Sequence, residues 1–453
     1  MKKGKKFNIG CLEGLSNVEI SEKIRDFFTE ICTKHPPLDP SKLPTFLPAN
    51  DDLPNIDRMD VYRELIRLKP SKASPPGELP TRLFKEFAYE LSLPLTHIFN
   101  LSLRNGMFPD RWKEATITPL PKKKLVSELG DLRPVSLTPI LGKILEGMVT
   151  QVMLKDIRAN LDPRQYGNLK GSSTAHYLIY LLDTIHQALD KPHHMASLVL
   201  VDFKKAFDFV DHSIAITELI SLGCRASIIP FISDFLTGRR HRVRYKDAVS
   251  DPAPITCGVP QGTRAGCVIF LALVNSLCKG MANRAKYVDD LTMAHLTKIL
   301  EEIVFVIQQD LDTLATECHD KGMETNPVKC EVMHTIFPLR PITLPDLTLN
   351  GVPLPVVHEV KLLGVHLNDR LTWTTHVDHV LNTARKRFYI LYQAKKFRFC
   401  DKSHDHVPVV HSHSYGVRCT SVAPWPHRTA TPAAGEGAQA VPTHRLRAPL
   451  REL

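Results

Sequence analysis

No apolar run in this sequence is long enough to cross a bilayer. The most hydrophobic stretch, GCVIFLALVNSL at 266–277, falls well short of the ~18 residues that a span requires. The basic N-terminus, MKKGKKFNIGCLEGLS, carries no apolar core of signal-peptide length. Ten cysteines, from Cys11 to Cys419, form neither a CxxC pair nor a Cys/His spacing suited to zinc. At 453 residues the chain is too long for a disulfide-stapled scaffold, so the thiols read as reduced, in an intracellular protein. There is no internal repeat. Acidic residues are the scarcer charge: 48 Asp and Glu stand against 58 Lys and Arg, a formal net charge of +10 with a pI near 9.0. That excess points to a polyanionic partner, nucleic acid first and an acidic membrane surface second, although lysine-rich surfaces commonly give the same balance. A hydrophobic content of 43% is ordinary for a globular core, and the length suits roughly two or three domains.

Local patterns place the elements. Residues 16–34, SNVEISEKIRDFFTEICTK, carry apolar side chains at helical spacing, and the prolines of HPPLDPSKLPTFLPANDDLP at 35–54 forbid a regular helix after them. Helices are expected over DVYRELIRLK and TRLFKEFAYELSLPLTHIFNLSLRNG, and a short strand over ATITPLPKKK. SLVLVD at 197–202 reads as a buried strand ending in an aspartate, and HRVRYKDAV as another strand. EEIVFVIQQDLDTLATECHDKG predicts an amphipathic helix with Ile303, Ile307, Leu311, Leu314 and Cys318 on one face. HVDHVLNTARKRFYILYQAKKF at 376–397 predicts a further helix, with its apolar face at Val380, Ala384, Phe388 and Leu391. Beyond about 400 the chain is rich in His, Pro, Arg and Ala without a sustained period, which predicts a disordered tail. Its His-x-His pairs, 404/406 and 411/413, lack supporting ligands at site-like spacing.

The chemistry concentrates in a few acidic positions. Asp202 ends an apolar strand in VLVDFKKAFDFVDH, and Asp289 lies 87 residues later beside Asp290 in RAKYVDDLTMA, at an expected hairpin tip. Adjacent carboxylates in an apolar setting call for a cationic partner. Mg²⁺ takes hard oxygen ligands, typically one or two carboxylates plus substrate phosphates, and two such ions about 3.5–4 Å apart serve phosphoryl transfer. The plain alternative is a solvated acidic turn. Between the acidic positions lies CGVPQGTRAG at 257–266, where glycines allow close backbone approach and the Gln261 amide offers a donor and an acceptor. PLPKKK and DLRPVSLTPILGKILE add basic residues suited to phosphates.

In this order these stretches resemble the reverse transcriptase of non-LTR retrotransposons of the jockey-like kind. VDFKKAFDFVDH is similar to the family's first catalytic motif, GVPQGTRAG to its second and YVDD to its third. NPVKCEVM and KLLGVHLNDRLTW resemble the fourth and fifth, WKEATITPLPKKK and LRPVSLTPILGKILE the fingers motifs, and QYGNLKGSSTAHYL the segment after them. The resemblance covers about residues 20–397. It implies an α+β right-hand polymerase: an N-terminal helix and proline-rich linker over 1–59, fingers over 60–195 and an antiparallel-sheet palm over 196–357. A primer-grip hairpin with the start of a thumb follows over 358–400, then the disordered tail over 401–453.

The resemblance also assigns roles. Asp202, Asp289 and Asp290 would be catalytic and hold two Mg²⁺ ions. Phe207 would crowd the sugar 2′ position, with core packing as its other reading. Gln261 and Gly262 would lie beside the templating pair and incoming nucleotide, and Arg133 and Lys122 would hold the triphosphate. Lys329 would protonate the leaving pyrophosphate or else be a solvated surface lysine, and Leu363 and Gly364 would support the primer end. The basic run GRRHRVRYK at 238–246 would contact template phosphates or form a solvated basic edge strand. The implied partners are an RNA template, a DNA primer and deoxynucleoside triphosphates. TRAGC departs from the family, which usually carries a bulkier residue at 265 and proline at 267, and SKASPPGELP at 71–80 departs from a more regular turn. No endonuclease precedes residue 1, and a complete thumb would extend past 397, so a truncated copy is expected. An inactive remnant that keeps the fold or only binds nucleic acid is the alternative.

Overall fold

The computed structural model describes residues 9–44, 53–71, 75–192, 194–298, 300–335 and 344–396. The tail expected over 401–453 and its His-x-His pairs lie outside the described residues. The fold mixes helices and sheets, as expected. At its centre is a four-stranded antiparallel sheet in the order Arg284–Tyr287, Asp290–Thr297, Met195–Val201, Glu331–Thr335. The MASLVLV strand is apolar nearly throughout because both of its faces are covered. Ala196 and Leu198 pack with Tyr177, Leu181 and Ile185 of helix Thr174–Leu189. Met195, Val199 and Val201 join the main core with helices His212–Ser221, Arg264–Leu273 and Leu300–Asp320. The Leu300–Asp320 helix buries Ile303, Ile307, Leu311, Leu314 and Cys318, the face expected from its period.

A second sheet runs Leu132–Leu137, Glu114–Pro121, Arg240–Tyr245, Ala248–Val249, with Ala253–Pro254 also pairing to Arg240–Tyr245. The HRVRYKDAV segment is therefore two strands rather than one, reversed at Lys246, whose φ is +53°. Arg240–Tyr245 is not an edge strand: it pairs in parallel with Glu114–Pro121 on one side and antiparallel on the other. Its period of two buries His241, Val243 and Tyr245, and the neighbouring Arg239 is also buried, its guanidinium donating to the Phe235 carbonyl at 2.9 Å. Helix Asn17–Cys32 starts at a reciprocal cap between Ser16 and Glu19, the S-x-x-E signature. Its Ile20, Ile24, Phe28 and Ile31 close over Ile117, Val243 and Tyr245, and the Cys32 carbonyl accepts from the backbone N–H groups of Thr256 and Cys257.

Two expected helices differ in detail. The TRLFKEFAYELSLPL segment breaks at Phe87 into Thr81–Glu86 and Ala88–Arg104, and the second piece accommodates Pro94 in its first two turns. Helix Thr374–Lys396 forms, but its apolar face is bare: Val380, Phe388 and Leu391 are all exposed. Among the described residues no helix is long and apolar enough to cross a membrane, and the seven described cysteines recorded as thiols are free.

The two charged residues of RAKY alternate with its apolar ones and turn inward. Arg284 donates twice to Asp162, at 2.9 Å to each carboxylate oxygen, and Lys286 Nζ lies 2.9 Å from the same carboxylate. Lys286 also donates to the carbonyls of Val274 and Asn275, and the Asn275 side chain accepts from the Asp162 N–H. Burial alone would raise the Asp162 carboxyl, but Arg284 and Lys286 more than offset it and hold it below its usual value. An Asp162→Ala variant leaves two buried cations unpaired, so a loss of about 3–5 kcal/mol in unfolding free energy is expected in urea titrations.

Candidate active site

Antiparallel register assembles the acidic site. Val201 pairs with Leu291 and Tyr287 with Asp290, so Asp202, one residue beyond Val201, emerges beside the turn made by Val288 and Asp289. Strand ends supply the carboxylates, and a three-residue helical turn, Pro327–Lys329, approaches from the other side. There Asn326 donates its backbone N–H to the Asp202 carbonyl at 2.8 Å and its side-chain amide to the Asp202 carboxylate at 3.1 Å. Lys329 Nζ lies 3.9 Å from that carboxylate.

These groups open onto a cavity of about 730 Å³. It brings together Asp202, Asp289, Phe207, Gln261, Gly262, Arg133, Lys122 and Lys329, residues drawn from segments more than two hundred positions apart. Lys122 and Arg133 come from the hairpin of the second sheet, where Leu120 pairs with Arg133 and Lys122 donates to the Gly130 carbonyl at 2.8 Å. The turn after Asp202 passes through Lys205 at φ +44° and presents Phe207, whose ring stacks on Phe270 with centroids 4.5 Å apart. Phe207 thus borders the core and the cavity at once. Gly258, at φ +81°, lets the 257–266 loop approach; a Cβ there would sit 2.5 Å from the Asp208 carbonyl oxygen. The loop then delivers Gln261, which donates to Asp208 at 2.9 Å and accepts at its carbonyl from the Ser136 N–H.

Three sequence candidates lie elsewhere. Asp290 starts the strand after the turn and is not among the cavity's lining residues; it shares a strand face with Thr292, the acceptor of the Tyr177 hydroxyl. Leu363 and Gly364 form the two-residue turn between Glu359–Leu362 and Val365–Asn368, with φ of +46° and +91°. Their hairpin packs with Tyr177 against the sheet, and neither residue lines the cavity. Sequence reasoning passed over Asp208, Asn326 and Lys205. Asp208 and Lys205 stand inside FKKAFDF, and Asn326 opens NPVKC, so their places in quoted motifs were the available signal. Phe27, Phe28 and Ile31 of the N-terminal helix also line the cavity, and nothing in their sequence pattern separates them from ordinary core residues.

The cavity's charges are crowded. Burial and the nearby Asp202 charge raise the Asp289 carboxyl, with Arg133 acting against them. Asp290 is pushed up to about 6 by burial and by Asp289 and Asp202. Asp208 rises to about 6 through burial, against the Gln261 hydrogen bond and the charges of Lys205 and Lys122. Burial, Lys329 and Arg133 together lower the Lys122 ammonium. Among the described residues no cluster of three or more His, Cys, Asp or Glu side chains has a geometry that could hold a metal ion. Asp202 and Asp289 nonetheless offer hard oxygen donors whose repulsion a divalent cation would relieve, which is a donor set suited to Mg²⁺.

Residues 120–367 match the family model described as reverse transcriptase (RNA-dependent DNA polymerase). The chain belongs to the reverse transcriptase family. It is 30% identical to a probable RNA-directed DNA polymerase from transposon BS of Drosophila melanogaster, over 71% of this chain and 36% of that protein. It is 29% identical to the RNA-directed DNA polymerase from mobile element jockey of Drosophila funebris, over 73% of this chain and 37% of that protein. A putative 115 kDa protein in the type-1 retrotransposable element R1DM of Drosophila melanogaster is 26% identical over 82% of this chain and 36% of its own length. The chain spans little more than a third of these relatives.

The raised Asp290 carboxyl fixes a pH dependence. Its folded value, about 6, lies above the ordinary 3.8, so the stability it contributes is complete below pH 3.8 and is lost as pH rises through about 6. Because Asp290 is exposed and solvent screens much of its charge, Asp290→Asn in metal-free protein should melt only slightly higher than wild type, by about 1 °C, at pH 7–8. The difference should shrink as the pH falls toward 4, as read by thermal melts across that range.

Proposed function

We propose that this chain carries out RNA-templated DNA synthesis, transferring deoxynucleotides to a primer 3′-hydroxyl. The observation that carries this reading is the 730 Å³ cavity, where Asp202 and Asp289 from strand ends face Lys122, Arg133 and Lys329. In this reading the four-stranded sheet is the palm of a right-hand polymerase, and the hairpin of Glu114–Pro121 with Leu132–Leu137 belongs to the fingers. Helix Thr374–Lys396 begins the thumb. The boundaries proposed are fingers over 60–195, palm over 196–357, and primer-grip hairpin with thumb start over 358–400. An inactive remnant has no observation in its favour.

Asp202 and Asp289 would hold Mg²⁺, with Asp290 completing the acidic set from the adjoining strand. The ions supply charge neutralisation at the reacting phosphate and activation of the attacking hydroxyl. Arg133 and Lys122 grip the triphosphate, opposite in charge to their ammonium and guanidinium groups. Phe207, held in place by Phe270, occupies the space a ribose 2′-hydroxyl would need. Gln261 and Gly262 line the nucleotide's base side, and Lys329, beside Asp202, delivers a proton toward departing pyrophosphate. The Leu363–Gly364 turn supports the primer end. The attack is in line, on the α-phosphate, with pyrophosphate leaving.

Primer extension on a poly(rA) template with an oligo(dT) primer and Mg²⁺ tests this. Wild type should extend the primer, and Asp202→Ala and Asp289→Ala should each lose at least ~100-fold, about 2.7 kcal/mol of barrier. A wild-type chain that does not extend the primer, or variants that extend it equally well, would overturn the reading. Phe207→Val should raise ribonucleotide incorporation and leave deoxynucleotide use largely intact. Equal loss with both substrates would make Phe207 a packing residue alone.

A further inference from the structure

The turn that carries Asp289 is strained, and a single side chain from a distant segment holds it. Val288 has a φ of +61°. That region disfavours a β-branched residue, which persists there only when its surroundings impose it. Its backbone N–H, at the tip of a two-residue turn, points away from the strand ladder. It donates instead to the side-chain oxygen of Gln165, at 3.1 Å.

Gln165 is 3% exposed. The same oxygen accepts the Gly167 N–H at 2.9 Å, so it is shared between the two segments that meet here. The backbone on either side is tied as well: Tyr166 N–H donates to the Lys286 carbonyl at 2.8 Å, and Lys286 N–H donates to the Arg164 carbonyl at 2.9 Å. At Gly167 there is no room for a side chain, because a Cβ would meet Val288 N at 2.5 Å and Val288 Cγ2 at 2.6 Å. Below this contact Asp162 anchors Arg284 and Lys286 of the same strand. The Gln165 amide nitrogen, by contrast, is buried without a hydrogen-bond partner among the described residues. The oxygen therefore carries the contact.

We infer that Gln165 is a positioning residue: through the Val288 N–H it fixes the turn that aims the Asp289 carboxylate into the cavity. This rests on the reading of Asp289 as catalytic. Removing the acceptor frees the strained Val288 peptide to relax, which moves Asp289 while leaving the nucleotide-gripping residues, Lys122 and Arg133, in place. The consequence is a defect in turnover rather than in nucleotide affinity. Because only the oxygen is used, a carboxylic side chain of the same length substitutes for the amide, and an apolar one does not.

The test uses the full chain with Gln165→Leu, Gln165→Glu and Gly167→Ala, read in two ways. In hydrogen–deuterium exchange on metal-free protein, Val288 should exchange about tenfold faster or more in Gln165→Leu and Gly167→Ala. Gln165→Glu should stay within about threefold of wild type, and Leu291 and Met293 should be unchanged in all three. In single-nucleotide incorporation, kcat should fall about tenfold or more in Gln165→Leu with KM for the nucleotide within about threefold, and Gln165→Glu should restore it. Unchanged Val288 exchange in both Gln165→Leu and Gly167→Ala would overturn the inference. So would a Glu variant as impaired as the Leu variant, or a loss in Gln165→Leu that falls on KM. Since Val288 exchange is read without turnover, an inactive wild type would overturn the polymerase reading and leave this test standing.

Discussion

The buried carboxylate of Asp162 is the point on which the acidic hairpin rests. It takes two cations from one strand, Arg284 and Lys286, and all three residues are buried. Such a triad repays its desolvation only when geometry is good and the remaining polar atoms are satisfied. Here the Arg284 fork is bidentate, Lys286 finds two further carbonyls, and Asn275 caps the Asp162 backbone. The arrangement specifies register. A slip of one residue in RAKY would turn both cations out and send Ala285 and Tyr287 to their places. Everything downstream on the strand, the turn and its aspartate included, inherits that register.

From this anchor the chemistry follows by short steps. The strand fixed by Asp162 pairs with Asp290–Thr297, which pairs with Met195–Val201, and the register between them sets Asp289 near Asp202. Asn326 then orients Asp202, and the cations of the second sheet face both. Lys122 and Arg133 therefore reach the acidic residues from the other sheet, while Lys329 approaches from their own. The Gln261 loop, hydrogen-bonded to Asp208 on one side and Ser136 on the other, braces the two sheets against each other.

Much of this was legible in the sequence, and the exceptions have identifiable causes. A continuous apolar run gave the SLVLVD strand, and a period of 3.6 gave the face of the Leu300–Asp320 helix residue by residue, because burial dictates both patterns. The candidates that line the cavity were found through motif order, since Lys122 or Gln261 has no periodic signature of its own. What stayed hidden depends on long-range pairing. The parallel partner of Glu114–Pro121 is a strand more than a hundred residues away, and a basic run such as 238–246 reads the same whether solvated or sandwiched. Asp162 and Gln165 were likewise invisible. A lone aspartate in a loop carries no pattern, and Gln165, though it opens the quoted QYGNLKGSSTAHYL, has no role of its own to read until the strand it holds is beside it. The exposed face of Thr374–Lys396 shows the converse, where a correct amphipathic period predicts an apolar face but cannot say what covers it.

The cavity's composition also sets when it can exist. Its walls draw on Phe27 near one end of the chain and Lys329 far along it, with contributions from Lys122, Asp202 and Gln261 between. On a ribosome adding roughly 5–20 residues per second, domains fold as they emerge, yet no partial product shorter than about residue 330 can hold every wall. Pairings of such wide sequence separation are also the slow ones to form. The site is thus a late event in the life of each molecule: the cluster of Ile20, Ile24 and Phe28 with Val243 and Tyr245 is complete earlier in the chain, and the site's opposing charges meet only once most of the chain has been made.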